Sequence, residues 1–240
     1  MVSKRGRIDT FVAKRLQIPK KMVRNLIASE QLFIDGHQVL TADTQIDEFS
    51  LIECQGNVLQ QRQRAYWMLN KPKGVVSATI DNQHVTALDL LAGIDKDLLH
   101  IAGRLDLNST GLLLITNDAK WSQRLMAPKS KVTKRYLVTL ANPIDSTYVA
   151  AFAQGMWFEY EGITTQPAKL TVLSKHQAMV ELKEGKYHQI KRMFGRFQNP
   201  VIELHRESVG EIRLDDELGE GEFRALSTAE IHSINVNASV

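Results

Sequence analysis

Cysteine and long apolar runs are what this sequence has least of. One cysteine in 240 residues, Cys54, excludes an internal disulfide, a Cys-x-x-Cys redox pair and a cysteine-built metal cage, and suits a small core residue. Apolar runs such as Gly111-Leu112-Leu113-Leu114-Ile115 stop well short of the roughly 18 residues a membrane helix requires. The N-terminus is basic (Lys4, Arg5, Arg7), yet no apolar core or small-residue cleavage site follows it. A secretion signal is therefore not expected, and a cytoplasmic protein is. Aromatics are only 7%, beside 43% apolar and 24% charged residues, an ordinary globular composition that excludes disorder and coiled coil. The length admits two small domains.

Charge is small in sum and uneven in place. The formal net charge is +3, but residues 1 to 25 hold eight Lys or Arg against Asp9 alone, a local +7, and the remaining 215 residues carry −4. The stretch from Lys120 to Arg135 is free of acids and adds six cations, whereas residues 207 to 232 carry eight acids against two arginines. One basic cluster is often only a solvated helix face. Two of them, segregated from an acidic segment, suggest a side that faces a polyanion.

Within the first 60 residues the pattern describes a small module. Ile8, Phe11, Val12 and Leu16 keep helical spacing; Pro19 breaks it, and Met22, Val23, Leu26 and Ile27 resume it, so two short amphipathic helices are expected. Asp35-Gly36 between Leu32-Phe33-Ile34 and His37-Gln38-Val39-Leu40 is a hairpin signal, and Phe49 to Cys54 supplies another strand. Arg7, Lys20, Lys21 and Arg24 lie on or between the helices, where they suit phosphate contact, not base reading. Residues 55 to 64 are polar and aperiodic and read as a linker. The expected division is 1–60 for the module, 61–65 for the linker, 66–232 for a larger domain and 233–240 for a tail.

The larger segment alternates irregularly. Tyr66 to Leu69, Val75 to Ala78, Ile101-Ala102, Gly111 to Thr116 and Lys134 to Leu140 read as strands. Asp118 to Met126, Ser146 to Gln154, Tyr187 to Phe197 and Ser227 to Ile234 read as helices, the last with a Ser-x-x-Glu capping box. Strands that follow one another without an intervening helix predict an α+β domain with a mainly antiparallel sheet. Gly103-Arg104-Leu105-Asp106-Leu107-Asn108-Ser109-Thr110-Gly111 packs turn formers around one carboxylate. Such a loop is either functional or simply closed by an Asx turn. Lys134-Arg135-Tyr136 and Gly185-Lys186-Tyr187-His188-Gln189-Ile190-Lys191-Arg192 join cations to aromatics, the materials for holding a base taken out of a helix.

These motifs together resemble the RsuA-type pseudouridine synthases: NKPKG, GRLDLNSTGLLLITND, KRYLV and GKYHQIKRMF stand in the order of that family. Residues 7 to 55 resemble the alpha-L RNA-binding module. The similarity spans about residues 7 to 232. Tyr66-Trp67-Met68-Leu69-Asn70-Lys71, Lys120-Trp121-Ser122 and Glu203-Leu204-His205-Arg206-Glu207 are most similar to family members that act on small-subunit rRNA. The resemblance implies isomerisation of uridine to pseudouridine in ribosomal RNA without a cofactor. It assigns the essential carboxylate to Asp106, the cation that keeps it ionised to Lys191, and the tyrosine against uracil to Tyr136. Arg104 either fills the space of the flipped base or holds its phosphate, Ile190 forms an apolar wall, and Arg192 is expected to bind substrate and is the less favoured alternative to Lys191 as the cation. Arg7, Lys20, Lys21 and Arg24 become RNA-binding residues, and His188 receives no catalytic role. Large-subunit rRNA is the alternative substrate, and a non-catalytic RNA-binding assembly factor the alternative function. The histidines show no His-x-x-x-His spacing, so a metal site is not expected, and a metal-dependent RNA hydrolase, which needs a carboxylate cluster for Mg²⁺, ranks far behind.

Overall fold

The computed structural model describes residues 6–127 and 130–236. Lys4, Arg5, Lys129 and positions 237–240 of the expected tail lie outside the described residues. Two compact units emerge, one formed by Met1–Arg64 with Asp118–Lys120, the other by Ala65–Asn117 with Trp121–Val240.

In the first unit β1 (Gly6–Arg7) leads into α1 (Ile8–Leu16) and α2 (Lys20–Ala28). Gln17 ends α1 in the left-handed conformation at φ 55, and Pro19 starts α2 with φ −62, the angle its ring imposes. Then come β2 (Leu32–Ile34), β3 (His37–Gln38), β4 (Gln45–Ile46), β5 (Ile52–Cys54) and β6 (Asn57–Gln60). The β2–β3 turn places Asp35 at φ 51 and Gly36 at φ 78, the doubly positive pair a tight two-residue hairpin requires. Its core joins Ile8, Val12 and Val23 of the helices to Leu32, Ile52 and Cys54 of the strands. Burial also raises the Cys54 thiol above its ordinary range.

The linker expected at residues 55 to 64 is in part a strand. Asn57 to Gln60 pair with β5 as a second hairpin, turned at Gln55 (φ 52) and Gly56 (φ 76). Its polar residues conceal the strand because β6 is an edge of the order β3-β2-β5-β6, and an edge needs few apolar side chains.

The second unit is α+β. Its elements are β7 (Tyr66–Lys71), β8 (His100–Ala102), β9 (Thr110–Thr116), α3 (Ala119–Met126), β10 (Lys134–Leu140), α4 (Ser146–Gln154), β11 (Trp157–Phe158), β12 (Ile163–Thr164), β13 (Lys169–Val172), β14 (Gln177–Leu182), α5 (Gln189–Gly195), β15 (Val201–Val209), β16 (Ile212–Arg213), β17 (Phe223–Ala225) and α6 (Thr228–Val236). A nine-stranded sheet runs β13-β14-β10-β15-β9-β7-β17, with β16 on β15 and β8 on β9. Among the described strands of this sheet only β15 and β9 pair in parallel, so the antiparallel expectation holds.

β9 explains its own apolar run. Leu112 and Leu114 enter one core with Met68, Trp121 and Leu125; Leu113 and Ile115 enter another with Leu69, Leu88 and Leu91. A strand covered on both faces cannot alternate with polar residues. A third core sets β10 and β14 against α4 and α5 through Val138, Val180, Phe152 and Phe194. Asp145 caps α4 through the Thr147 amide at 2.8 Å. The capping box before α6 is closed in both senses, Ser227 N to Glu230 Oε2 at 2.7 Å and Glu230 N to Ser227 Oγ at 3.3 Å.

Two readings are corrected. Val75 to Ala78 is no strand; it keeps one isolated bridge, Val76 to Thr86, because Ser77 is turned to clamp a loop. The helix expected over Tyr187 to Phe197 is shorter, Gln189–Gly195, and its N-cap His188 is left-handed at φ 48.

Candidate active site

The loop that carries Asp106 lies between β8 and β9, and the side chains of Ser77, Lys71 and Arg206 hold it. Ser109 N closes a turn on Asp106 O at 3.0 Å. Ser77 Oγ donates to Leu105 O at 2.7 Å and accepts from Leu105 N at 3.0 Å. Lys71 is fully buried, and its Nζ donates to the carbonyls of Ser109 (2.7 Å), Pro72 (2.9 Å) and Leu107 (3.3 Å). Arg206, only 3% exposed, reaches the carbonyls of Leu112 (2.8 Å), Gly103 (3.2 Å) and Arg104 (3.3 Å). Two buried cations thus satisfy the backbone on both sides of Asp106 and leave the loop little freedom.

Gly111 makes this approach possible. At φ 98 a Cβ there would stand 2.4 Å from Arg206 O, so the parallel contact of β9 with β15 excludes every other residue.

Asp106 opens into a cleft lined by Arg104, Leu105, Tyr136, His188, Ile190 and Lys191, with Ser109 and Lys186 among its other walls. Counting its open mouth, the cleft encloses about 480 Å³. The carboxylate is partly covered, with 30% of its side chain exposed; Lys191 Nζ lies 2.9 Å from Oδ2 and His188 Nε2 3.4 Å from Oδ1. α5 supplies the cation: buried Ile190 and Met193 fix the helix in the core while Lys191 projects to the cleft. The floor is apolar, made of Leu105, Leu182, Ile190 and Leu204. One carboxylate on an apolar floor, with a flat phenol beside it, offers a nucleophile or base toward a planar group.

Burial pulls the Lys71 ammonium down to about 8, against the Asp106 charge, which favours the protonated form. His205 is lowered by burial as well, and its Nδ1 is paired with Thr110 Oγ1 at 2.9 Å.

The structure brings Asp106, Tyr136, Lys191, Arg104 and Ile190 together in one cleft. Arg192 goes elsewhere. Its guanidinium grips Glu161 with both nitrogens at 2.6 Å and lies 3.7 Å above the Phe158 ring, so it is not among the residues facing Asp106. On a helix, residue 192 lies about 100° around from 191, and only one of them can point into the cleft. Lys71 and Arg206 receive no role from the sequence. The one signal they give there is their place in two segments that carry the family resemblance, Tyr66 to Lys71 and Glu203 to Glu207.

In the first unit Arg7 forks onto buried Asp9 at 3.1 and 3.0 Å, and Lys20 Nζ binds Thr10 Oγ1 at 2.7 Å. The hydrogen bonds from Arg7 hold the Asp9 carboxyl below its ordinary range. Lys21 and Arg24 are exposed on α2 and form no ion pair among the described residues. No group of three metal-ligating side chains occurs among the described residues.

Residues 65–195 match the family model described as RNA pseudouridylate synthase, and the chain belongs to that family. It is 45% identical over 229 residues to the ribosomal small subunit pseudouridine synthase A of Pseudomonas aeruginosa, covering 95% of this chain and all of that one. The protein of the same name from Escherichia coli K12 is 40% identical, with 95% and 99% covered. A crystal structure of a pseudouridylate synthase superimposes with a TM-score of 0.70 at 37% identity, over 95% of this chain and 99% of the other.

Proposed function

We propose that the protein converts one uridine of small-subunit (16S) ribosomal RNA to pseudouridine, with Asp106 as the essential carboxylate. The observation that carries this reading is the 2.9 Å pair of Asp106 and Lys191 on the apolar floor of the cleft. In the reaction the bond from uracil N1 to ribose C1′ breaks, the base turns, and C5 bonds to C1′. The C5 proton leaves and N1 acquires one, so substrate and product are isomers and neither a redox cofactor nor a group carrier enters the balance. Asp106 acts on the ribose, either by adding to C1′ or by taking a proton from C2′ in a glycal route. Lys191 stands 2.9 Å from its Oδ2 as the counter-charge. Tyr136 lies against the uracil, and its hydroxyl assists removal of the C5 proton. Arg104, exposed at the rim, fills the place of the flipped base or holds its phosphate. Arg7, Lys20, Lys21 and Arg24 supply phosphate contacts from an alpha-L-like module, and the enzyme works in the cytoplasm.

Small-subunit RNA is chosen because relatives that match over nearly their whole length carry that substrate in their names. The test is release of tritium from uracil C5, measured on small- and large-subunit rRNA, naked and in partly assembled particles. Wild type should release about one equivalent from the small-subunit substrate. Asp106→Asn should release none, a loss on the order of 1,000-fold or more, while binding RNA within about twofold of wild type. Release from large-subunit RNA alone would move the target, and a large loss of affinity in Asp106→Asn would remove its catalytic assignment.

A further inference from the structure

The segment before α5 carries a feature the chemistry above does not use. Tyr187 is 75% exposed, a large ring that adds little to any core. It is nevertheless ordered by its neighbours: the ring stacks on His188 with centroids 3.9 Å apart and planes 20° from parallel. His188 in turn reaches Asp106 at 3.4 Å.

The backbone that presents this ring is built, not loose. Arg192 Nη1 donates to Tyr187 O at 3.4 Å while the same guanidinium grips Glu161. Buried Gln189 accepts from Lys186 N at 2.9 Å and donates to Glu184 at 2.7 Å. Arg192, which does not face the cleft, therefore serves the structure, tying the residue before the N-cap to the turn between β11 and β12.

We propose that Tyr187, layered on His188, is a stacking platform for the base of a nucleotide adjacent to the target uridine. The proposal rests on the isomerase reading. One face of the phenol is covered by the imidazole, and the high exposure leaves the other open. A flat, open aromatic face is what an unpaired base seeks, and stacking tolerates any base identity. His188 lines the Asp106 cleft and meets the carboxylate through the ring-edge atom Nε2, whereas Tyr187, which covers a face of that imidazole, is not among the residues lining the cleft. It is thus placed for a flanking nucleotide and not for the reacting one. Lys186 and Arg104 line the Asp106 cleft and are cations available to the phosphates between the two nucleotides. Tyr187 is then a positioning residue that selects for an RNA whose target is flanked by a splayed, unpaired nucleotide.

The test uses the full-length enzyme and the tritium-release assay, with RNAs that carry an abasic ribose on the 5′ or the 3′ side of the mapped uridine. Stacking of one base on one ring predicts that Tyr187→Ala raises KM on the intact RNA on the order of 10-fold, with kcat within about twofold. For wild type, one of the two abasic RNAs should show a similar rise. Combined with Tyr187→Ala, that same abasic RNA should add less than about twofold, because both changes remove one contact. Tyr187→Trp should restore KM. An unchanged KM in Tyr187→Ala, or an abasic effect that persists in full in that variant, would overturn the platform. A fall in kcat alone would assign Tyr187 to holding His188 and overturn it equally. Absence of release by wild type from every rRNA would overturn the isomerase reading itself, and this one with it.

Discussion

Two pairs of cations, one pair in each unit, are placed in opposite ways. In the first, Lys21 and Arg24 stand in solvent on a short helix. In the second, Lys71 and Arg206 are buried, and their hydrogen bonds go to backbone carbonyls. An exposed cation costs little to place and can follow an irregular phosphate chain. A buried one is expensive to desolvate, and its surroundings must supply hydrogen bonds in fixed positions. In the proposed function the contrast separates gripping from chemistry: the exposed charge is assigned to affinity, and the immobilised charge holds the geometry of one loop.

Replacing Lys71 should break the comparison most severely. Lys71→Met keeps the length of the side chain and removes the donors to Pro72, Leu107 and Ser109. The three carbonyls left unpaired should cost about 2–4 kcal/mol of stability in urea unfolding, and a displaced Asp106 should lower kcat on the order of 100-fold. RNA affinity should stay within about threefold of wild type. A variant with normal kcat would show that the loop does not need this cation.

A milder perturbation is titration. With the ammonium at about 8, wild-type enzyme should lose activity several-fold as pH rises through that value, since neutral Lys71 has one donor fewer and no longer supports the Asp106 charge. Stability should move the other way. Between about 8 and the ordinary lysine value of 10.5 the unfolded chain keeps a proton that the folded one has released, so this group makes folding more favourable as pH rises. Rate and melting temperature measured together from pH 7 to 9 check both signs. An activity loss that tracks melting would refute the assignment to Lys71.

The same contrast explains what can be read from the sequence. Local rules locate α1, α2, the Asp35-Gly36 turn and the capping box of Ser227 and Glu230, because each is settled by residues within a few positions. β10 is legible too, over the same residues as observed, Lys134–Leu140. β13, β14 and β15 escape it, for Glu203, His205 and Glu207 interrupt β15 with polar groups on the opposite face from buried Leu204. Asp106 and Lys191 enter through the family resemblance, and the structure brings them together. The loop's supports are illegible for a physical reason. Arg206 finds its acceptors 94 to 103 positions away, and nothing local says that a strand arginine points inward. Arg192 and Lys191 are adjacent cations, and only the helix phase set by Ile190 and Met193 decides which one meets Asp106.

The smallest effect is the one expected of the exposed charges. Lys21→Ala and Arg24→Ala leave the core of the first unit untouched, since both side chains are exposed, so neither should change stability by more than about 0.5 kcal/mol. If each neutralises about one phosphate, each substitution should reduce the slope of log affinity against log salt by about 0.7 to 0.9, and the pair by about twice that. The rate on saturating RNA should not change, because these cations take no part in the loop that Lys71 and Arg206 hold. Filter binding from 50 to 200 mM salt, beside single-turnover tritium release, measures both quantities. A reduced slope with an unaltered rate sharpens the division between the units. An unaltered slope would mean that α2 does not meet phosphate, and a reduced single-turnover rate would mean that gripping and chemistry are not separable in this enzyme.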